Sequence, residues 1–277
     1  MPVETPHKHI SLFLAGDALI ARPWSDDTHP RFLKLVEQIR ETDVAIVNLE
    51  TLLHEYRGHA QADSGGTYVA APPRVAFDLA WAGFEMVSHA NNHAFDYGST
   101  GVLENLDNVK KAGLALAGSG EDLQGARSPA FYRHPNGTVG LVAAASTFVP
   151  YGRASRSRPD CRGRPGVNPL TLESRPCVDI TRATARLLDR LSRAAGFSGW
   201  RFTLSRFHIG PVDFRVAKSH GVQLRSRLQE RDVSENLASI REAASRSDLV
   251  VMSVHDHIQG PWLRRFAHRA IDAGASV

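Results

Sequence analysis

Residues 88–98 read Ser-His-Ala-Asn-Asn-His-Ala-Phe-Asp-Tyr-Gly. Asn92, His93 and Asp96 put an amide, an imidazole and a carboxylate within five residues, which are the groups a metal-assisted hydrolytic site uses. The stretch follows an apolar run, Phe84-Glu85-Met86-Val87, that reads as a short buried strand. In open α/β sheets chemistry gathers in the crevice beyond the carboxyl ends of the strands, so position matters here as much as composition. Taken alone, the same residues equally make a polar turn capping the next helix. The neighbouring strand ends decide between the two.

Three further apolar runs end in polar residues of the same kind. Residues 10–15 lead into Gly16-Asp17, residues 44–47 into Asn48-Leu49-Glu50, and residues 248–254 into His255-Asp256-His257. Four strand ends therefore carry Asp17, Glu50, Asn92 with His93, and His255 with His257. Oxygen and imidazole donors without cysteine suit a hard or borderline divalent ion such as Mn²⁺, Fe²⁺ or Zn²⁺. Where two ions sit together, one carboxylate bridges them and a shared water becomes a hydroxide nucleophile near neutral pH. An unbound histidine beside them can protonate a leaving oxygen. Each residue also has a plainer reading: Asp17 caps a turn, Glu50 is a surface acid, and His257, alternating with His255 along one strand face, supports the site from outside the ligand set. Their joint occurrence at predicted strand ends favours the site. His54, His59, His89, His208, His220 and His268 show no partner pattern and are read as ordinary core or surface histidines.

The elements that must position these residues follow from periodicity. Helices are expected over 31–42, 74–83, 99–112, 181–195, 233–246 and 261–273. Leu187, Leu188 and Leu191 are expected to point inward, and Trp262, Phe266, Ala270 and Ile271 to share one side. Asn136-Gly137 marks the turn of a hairpin between 130–133 and 139–145. Residues 51–73 read as a loop long enough to cover a site. Residues 150–178 read as an irregular Arg/Pro/Gly-rich insertion, in which Arg153, Arg156, Arg158, Arg162 and Arg164 either grip a polyanion or, the preferred reading, belong to a solvated loop. Around 202–223 the pattern assigns little. Repeated strand, loop and helix indicate an α/β fold with a parallel sheet covered by helices.

With 277 residues, 42% hydrophobic and 22% charged, the chain can bury a substantial core as one domain over 1–277. The net charge of +4 fits an anionic substrate, and no aromatic-basic interleaving marks a nucleic-acid binder. Cys161 and Cys177 lack ligand spacing and are expected to be free thiols. Neither an apolar leader nor a run of membrane-span length is seen, so a cytoplasmic protein is expected, with any envelope association through a partner.

Gly16-Asp17, Asn48-Leu49-Glu50, Asn91-Asn92-His93-Ala94-Phe95-Asp96-Tyr97-Gly98 and Val254-His255 resemble the successive motifs of the CapA family (PGA_cap), the bacterial poly-γ-glutamate capsule synthesis proteins related to calcineurin-like metallophosphoesterases. The resemblance implies a metallophosphatase-like layered α-β-β-α sandwich and two divalent ions in the complete protein. It implies Asp17 on the first ion, Glu50 bridging, Asn92 and His255 on the second, His93 facing the leaving group and Asp96 orienting it. It further implies a metal-dependent hydrolase of a phosphoester or of poly-γ-glutamate, alongside a capsule synthase partner. The alternative is a non-catalytic accessory module with a vestigial site. Two departures accompany it: Ala18-Leu19 follow Asp17 where the related phosphoesterases carry Asp-x-His, and the family's closing Gly-His-x-Pro-His is expected beyond Val277, so the C-terminal part is read as missing.

Overall fold

The computed structural model describes residues 9–64, 66–196, 206–209 and 212–277. They fall into two compact units, Met1–Thr171 with Glu230–Val277, and Leu172–Gln229. In chain order the first unit carries β1 (Leu12–Ala18), α1 (Pro30–Arg40), β2 (Val44–Leu49), β3 (Leu52–Leu53), β4 (Ala70–Ala71), α2 (Arg74–Ala82), β5 (Met86–Ser88), α3 (Gly98–Lys111), β6 (Ala115–Ala117), β7 (Ser119–Gly120), α4 (Leu123–Arg127), β8 (Ala130–His134), β9 (Gly137–Ala145) and β10 (Gly166–Val167). The second unit carries β11 (Leu172–Thr181), α5 (Arg182–Ala194), β12 (Arg206–Ile209), β13 (Val212–Ala217) and β14 (Gly221–Leu228). The first then resumes with α6 (Glu230–Ala244), β15 (Leu249–His255) and α7 (Pro261–Asp272).

The fold is mixed α/β. In the first unit β1-β2-β5-β6 form a parallel sheet, and β15-β9-β8 form a second sheet in which β15 runs parallel to β9 and β8 closes the expected hairpin. Every residue of β2 is buried, as a parallel strand covered on both faces requires. Because side chains alternate along a strand, Val44 and Ile46 meet Leu141, Ala143 and Val251 of the second sheet. Ala45 and Val47 instead meet Val36 and Ile39 of α1, Leu79 of α2 and Val109 of α3. Gly83 closes α2 in the left-handed region at φ 104°, its amide bonded to the Ala80 and Leu79 carbonyls, the αL cap that glycine adopts without a Cβ penalty.

Several elements depart from the sequence reading. On α7, Trp262, Phe266 and Ala270 are buried as expected, but Ile271 is exposed, since it lies a further 100° around the helix from Ala270. Residues 150–178 are not irregular throughout: β10 pairs with β7, and from Leu172 onward the chain is strand β11. The arginines of that insertion are largely paired within the unit. Arg153 lies 3.5 Å from Asp232, Arg156 pairs with Glu235, Arg158 with Asp160 at 3.1 Å, and Arg164 donates to the Arg153 carbonyl at 2.8 Å.

In the second unit the strand order is β12-β13-β11-β14, with β11 parallel to β13 and antiparallel to β14. Helix α5 buries Ala185, Asp189 and Ser192 and leaves Leu187 and Leu191 exposed, the reverse of the inward leucines expected. Both cysteines are free, Cys161 exposed and Cys177 buried. Among the described residues no helix is long and apolar enough to cross a membrane. The expectation of a leaderless start rests on residues 1–8, which lie outside the described residues.

Candidate functional site

Asp17 lies inside β1, one residue short of the strand's last. The ladder to β2 shifts register between Leu14 and Asp17 and resumes with Asp17 opposite Asn48, an irregularity of the kind that re-aims a side chain. Glu50 follows β2 directly, and its amide donates to the Ala18 carbonyl at 3.3 Å. Asn91 and Asn92 follow the end of β5, whose partners on either side are β2 and β6. His255 ends β15 beside Ala145 of β9, and His257 is held just beyond it by its amide bonding to Thr147 Oγ1 at 3.0 Å.

These strand ends bring Glu50, Asn92, His255 and His257 together. One ligand atom each from Glu50, His255 and His257 lie within 4.8 Å of one another. Around His255 Nε2 stand Asn92 Oδ1 at 2.6 Å, His257 Nε2 at 3.1 Å and Glu50 Oε1 at 3.5 Å. Two imidazole nitrogens at that separation need a proton or a cation between them, and one ring N–H cannot serve the amide, the second ring and the carboxylate at once. One carboxylate, one amide oxygen and two imidazoles without sulfur fit a hard or borderline divalent ion. Asp17 lies at the other edge of the ring, its Oδ1 4.0 Å from His255 Nδ1.

An amide chain that the sequence reading did not assign fixes the orientation of these groups. Asn91 Nδ2 donates to the Leu49 carbonyl at 2.8 Å and to Asn48 Oδ1 at 3.2 Å. Asn48 Nδ2 in turn donates to Asp17 Oδ1 at 2.8 Å and faces His255 Nδ1 at 3.3 Å. The backbone carbonyl thus sets Asn91, Asn91 sets Asn48, and Asn48 places its amide against Nδ1 of His255, on the side of the ring away from the Nε2 donor group. The signal in the sequence was present: both asparagines sit in the strand-end motifs, where an amide has a backbone to read.

His93 adjoins this group. Its Nδ1 bonds Asp96 Oδ2 at 2.8 Å, and Asp96 is buried, also accepting from the Val69 amide at 3.1 Å while its carbonyl accepts from the Gln61 amide at 2.8 Å. Gln61 and Val69, in the 51–73 stretch read as a loop but pairing as β3 and β4 at its two ends, are therefore pinned over the Asn-Asn-His stretch. The hydrogen bond to Asp96 is the leading cause that raises the His93 pKa, with the charges of Asp96 and Glu50 adding to it against desolvation. Glu50 is pushed up to about 7, first by burial and then by the charge of Asp17, with His93 opposing. Burial depresses His255. Of the histidines read as ordinary, His54 and His89 are buried, while His59, His220 and His268 are exposed.

A family model described as bacterial capsule synthesis protein PGA_cap matches residues 11–277. An uncharacterized protein, y4sH, of Sinorhizobium fredii (strain NBRC 101917 / NGR234) is 30% identical over 96% of this chain and 59% of its own length. A capsule biosynthesis protein CapA of Bacillus anthracis is 25% identical over 60% of this chain and 43% of its own. A probable polyglutamine synthesis accessory protein of Mycobacterium tuberculosis (strain CDC 1551 / Oshkosh) is 32% identical over 46% of this chain and 32% of its own. The chain thus spans about six tenths of the Sinorhizobium relative. With a match covering nearly its whole length, the chain belongs to the bacterial capsule synthesis protein PGA_cap family.

Proposed function

We propose that this chain is the metal-binding part of a hydrolase of the calcineurin-like class that serves the synthesis of an anionic capsule polymer, with a metallophosphatase-like α-β-β-α arrangement as its scaffold. The observation that carries the reading is the convergence of Glu50, Asn92 and His257 on His255 Nε2, beside the buried His93–Asp96 pair. Glu50, Asn92, His255 and His257 would hold a divalent ion, with Asp17 at the edge of the group where a second would need it. When bound, such an ion supplies Lewis acidity and a nucleophile at neutral pH. Asp96 fixes the His93 ring and favours its protonated form, which suits His93 to give a proton to a leaving oxygen. A phosphoester or a link in poly-γ-glutamate is the substrate class, and the names of the Bacillus and Mycobacterium relatives support a role beside a polymer synthase.

A second reading, an accessory module that binds polymer or synthase without catalysis, is favoured by one observation. Asp17 is tied to Asn48 and its side chain is 54% exposed, so it stands outside the closest donor group. Metal titration followed by calorimetry separates the two when it is paired with hydrolysis of phosphodiesters and poly-γ-glutamate. The hydrolase reading expects micromolar or tighter binding of Mn²⁺ or Zn²⁺ that Glu50→Ala or His255→Ala weakens at least tenfold, and turnover that His93→Ala abolishes with metal still bound. Metal loss from the His93 variant, or no metal binding by the wild type, would sink it.

A further inference from the structure

Helix α5 wears its leucines and arginines outward together. Arg182, Arg186, Arg190 and Arg193 follow one another at spacings of four, four and three, so they form one stripe, and all four are exposed. The adjoining arc carries Leu187 and Leu191, 55% and 57% exposed, while Ala185, Asp189 and Ser192 face the unit. Arg193 bonds Asp189 at 2.6 Å; among the described residues no carboxylate pairs with Arg182, Arg186 or Arg190. Like charges at i,i+4 disfavour a helix, and outward leucines forgo burial, so neither feature serves folding. The charge is regional as well: Leu172–Gln229 holds eleven Lys/Arg against four Asp/Glu, in a chain with 33 and 29, which leaves the remainder at −3. Charge complementarity calls for an anionic partner, and the leucine row beside the arginines calls for one with an apolar interior. An anionic polymer answers the arginines alone, whereas an anionic bilayer surface answers both.

We propose that α5 is a peripheral membrane-binding helix, with Leu187 and Leu191 entering the headgroup boundary and Arg182, Arg186, Arg190 and Arg193 on anionic lipid headgroups. The test sediments the full chain with vesicles of equimolar phosphatidylglycerol and phosphatidylcholine, and with phosphatidylcholine alone. The expected result is sedimentation with the anionic vesicles only, lost in roughly 0.5 M NaCl as charges are screened. Arg186→Gln with Arg190→Gln should weaken partitioning by roughly thirtyfold, since each arginine near an anionic surface contributes about a factor of five. Leu187→Ser with Leu191→Ser should weaken it by about tenfold with the charge intact. All four positions are exposed, so both variants should keep the wild-type melting temperature. Failure of the wild type to prefer anionic vesicles overturns the proposal whatever the variants do. It is equally overturned if the leucine variant binds as the wild type does while soluble poly-γ-glutamate displaces the protein, since α5 would then be a polymer contact.

Discussion

At the scale of single residues, the site places groups where folding alone would not keep them. Glu50 is buried, and its carboxyl is raised from 4.5 to about 7 by burial and by Asp17. Below about pH 4.5 it is protonated both folded and unfolded and carries no linkage cost. Between there and about pH 7 the unfolded chain ionises first, so metal-free stability falls as pH rises through that window. Glu50→Gln should therefore be more stable than the metal-free wild type at pH 8, by on the order of 1–3 kcal/mol. That gap should shrink as the pH falls from about 7 to about 4.5; a gap in urea unfolding that stays constant with pH would show that Glu50 does not ionise as described. His93 offers the opposite sign. Asp96 raises its pKa, so Asp96→Asn should shift the NMR titration of the His93 ring to lower pH and cut hydrolysis, if the chain hydrolyses, by about a hundredfold. An unchanged titration would remove Asp96 from the role of orienting and charging that ring.

At the scale of elements, the spacing of the two sheets of the first unit rests partly on Gly118. It joins β6 to β7 at φ 100°, and a Cβ there would meet Ala90 Cβ at 2.7 Å, the Ala90 amide nitrogen at 2.8 Å and Ala143 Cβ at 2.9 Å. Gly113, which ends α3, has a comparable φ of 80° with nothing within 4 Å of its Cβ position. Gly113→Ala should cost about 1–2 kcal/mol in thermal or urea unfolding, the left-handed strain alone. Gly118→Ala should cost about 1–3 kcal/mol more, because backbone and core must move; equal costs would mean that the sheets are not held that closely. Such proximity could not be read from the chain, whereas the elements on either side could. β2, β5 and β9 are apolar runs because they are covered on both faces, β15 is an apolar run buried in part, and the polar residues that follow such runs were legible for that reason. β11 and β14 were not, since Arg175 and Arg225, or Ser174 and Ser226, stand opposite one another in the ladder and leave no apolar period to follow. Within the site, the sequence pointed to the acids and histidines at strand ends. The order Leu49, Asn91, Asn48, His255 depends on two side-chain amides meeting across strands, and only register determines that.

At the scale of the whole molecule, the two units differ in how much holds them. Of the buried apolar residues, only Cys177, Ile180 and Ala185 belong to Leu172–Gln229, and the rest, among the described residues, belong to the first unit. A unit of that size with so thin a core is marginal by itself. Its strands are held by ladder hydrogen bonds, by Arg215 bonded through two nitrogens to the buried Asp179, and by Arg227 with Glu173 at 3.5 Å, an exposed pair of the kind that contributes at most about 1 kcal/mol. In the first unit, by contrast, Leu49, Leu79, Met86, Leu141 and Ile240 are fully buried, and each truncation to alanine there should cost about 2–5 kcal/mol. Unfolding should therefore not be a single step. Native-state hydrogen exchange in rising denaturant should release the amides of β11, β13 and β14 well before those of β2, β9 and β15. The early release should also come sooner in high salt, which screens the arginine pairs. Simultaneous release of both sets, with calorimetric and van't Hoff enthalpies equal, would mean instead that the small unit draws its stability from the large one. In that case the exposed arginines and leucines of α5 would have to be weighed as part of one cooperative body.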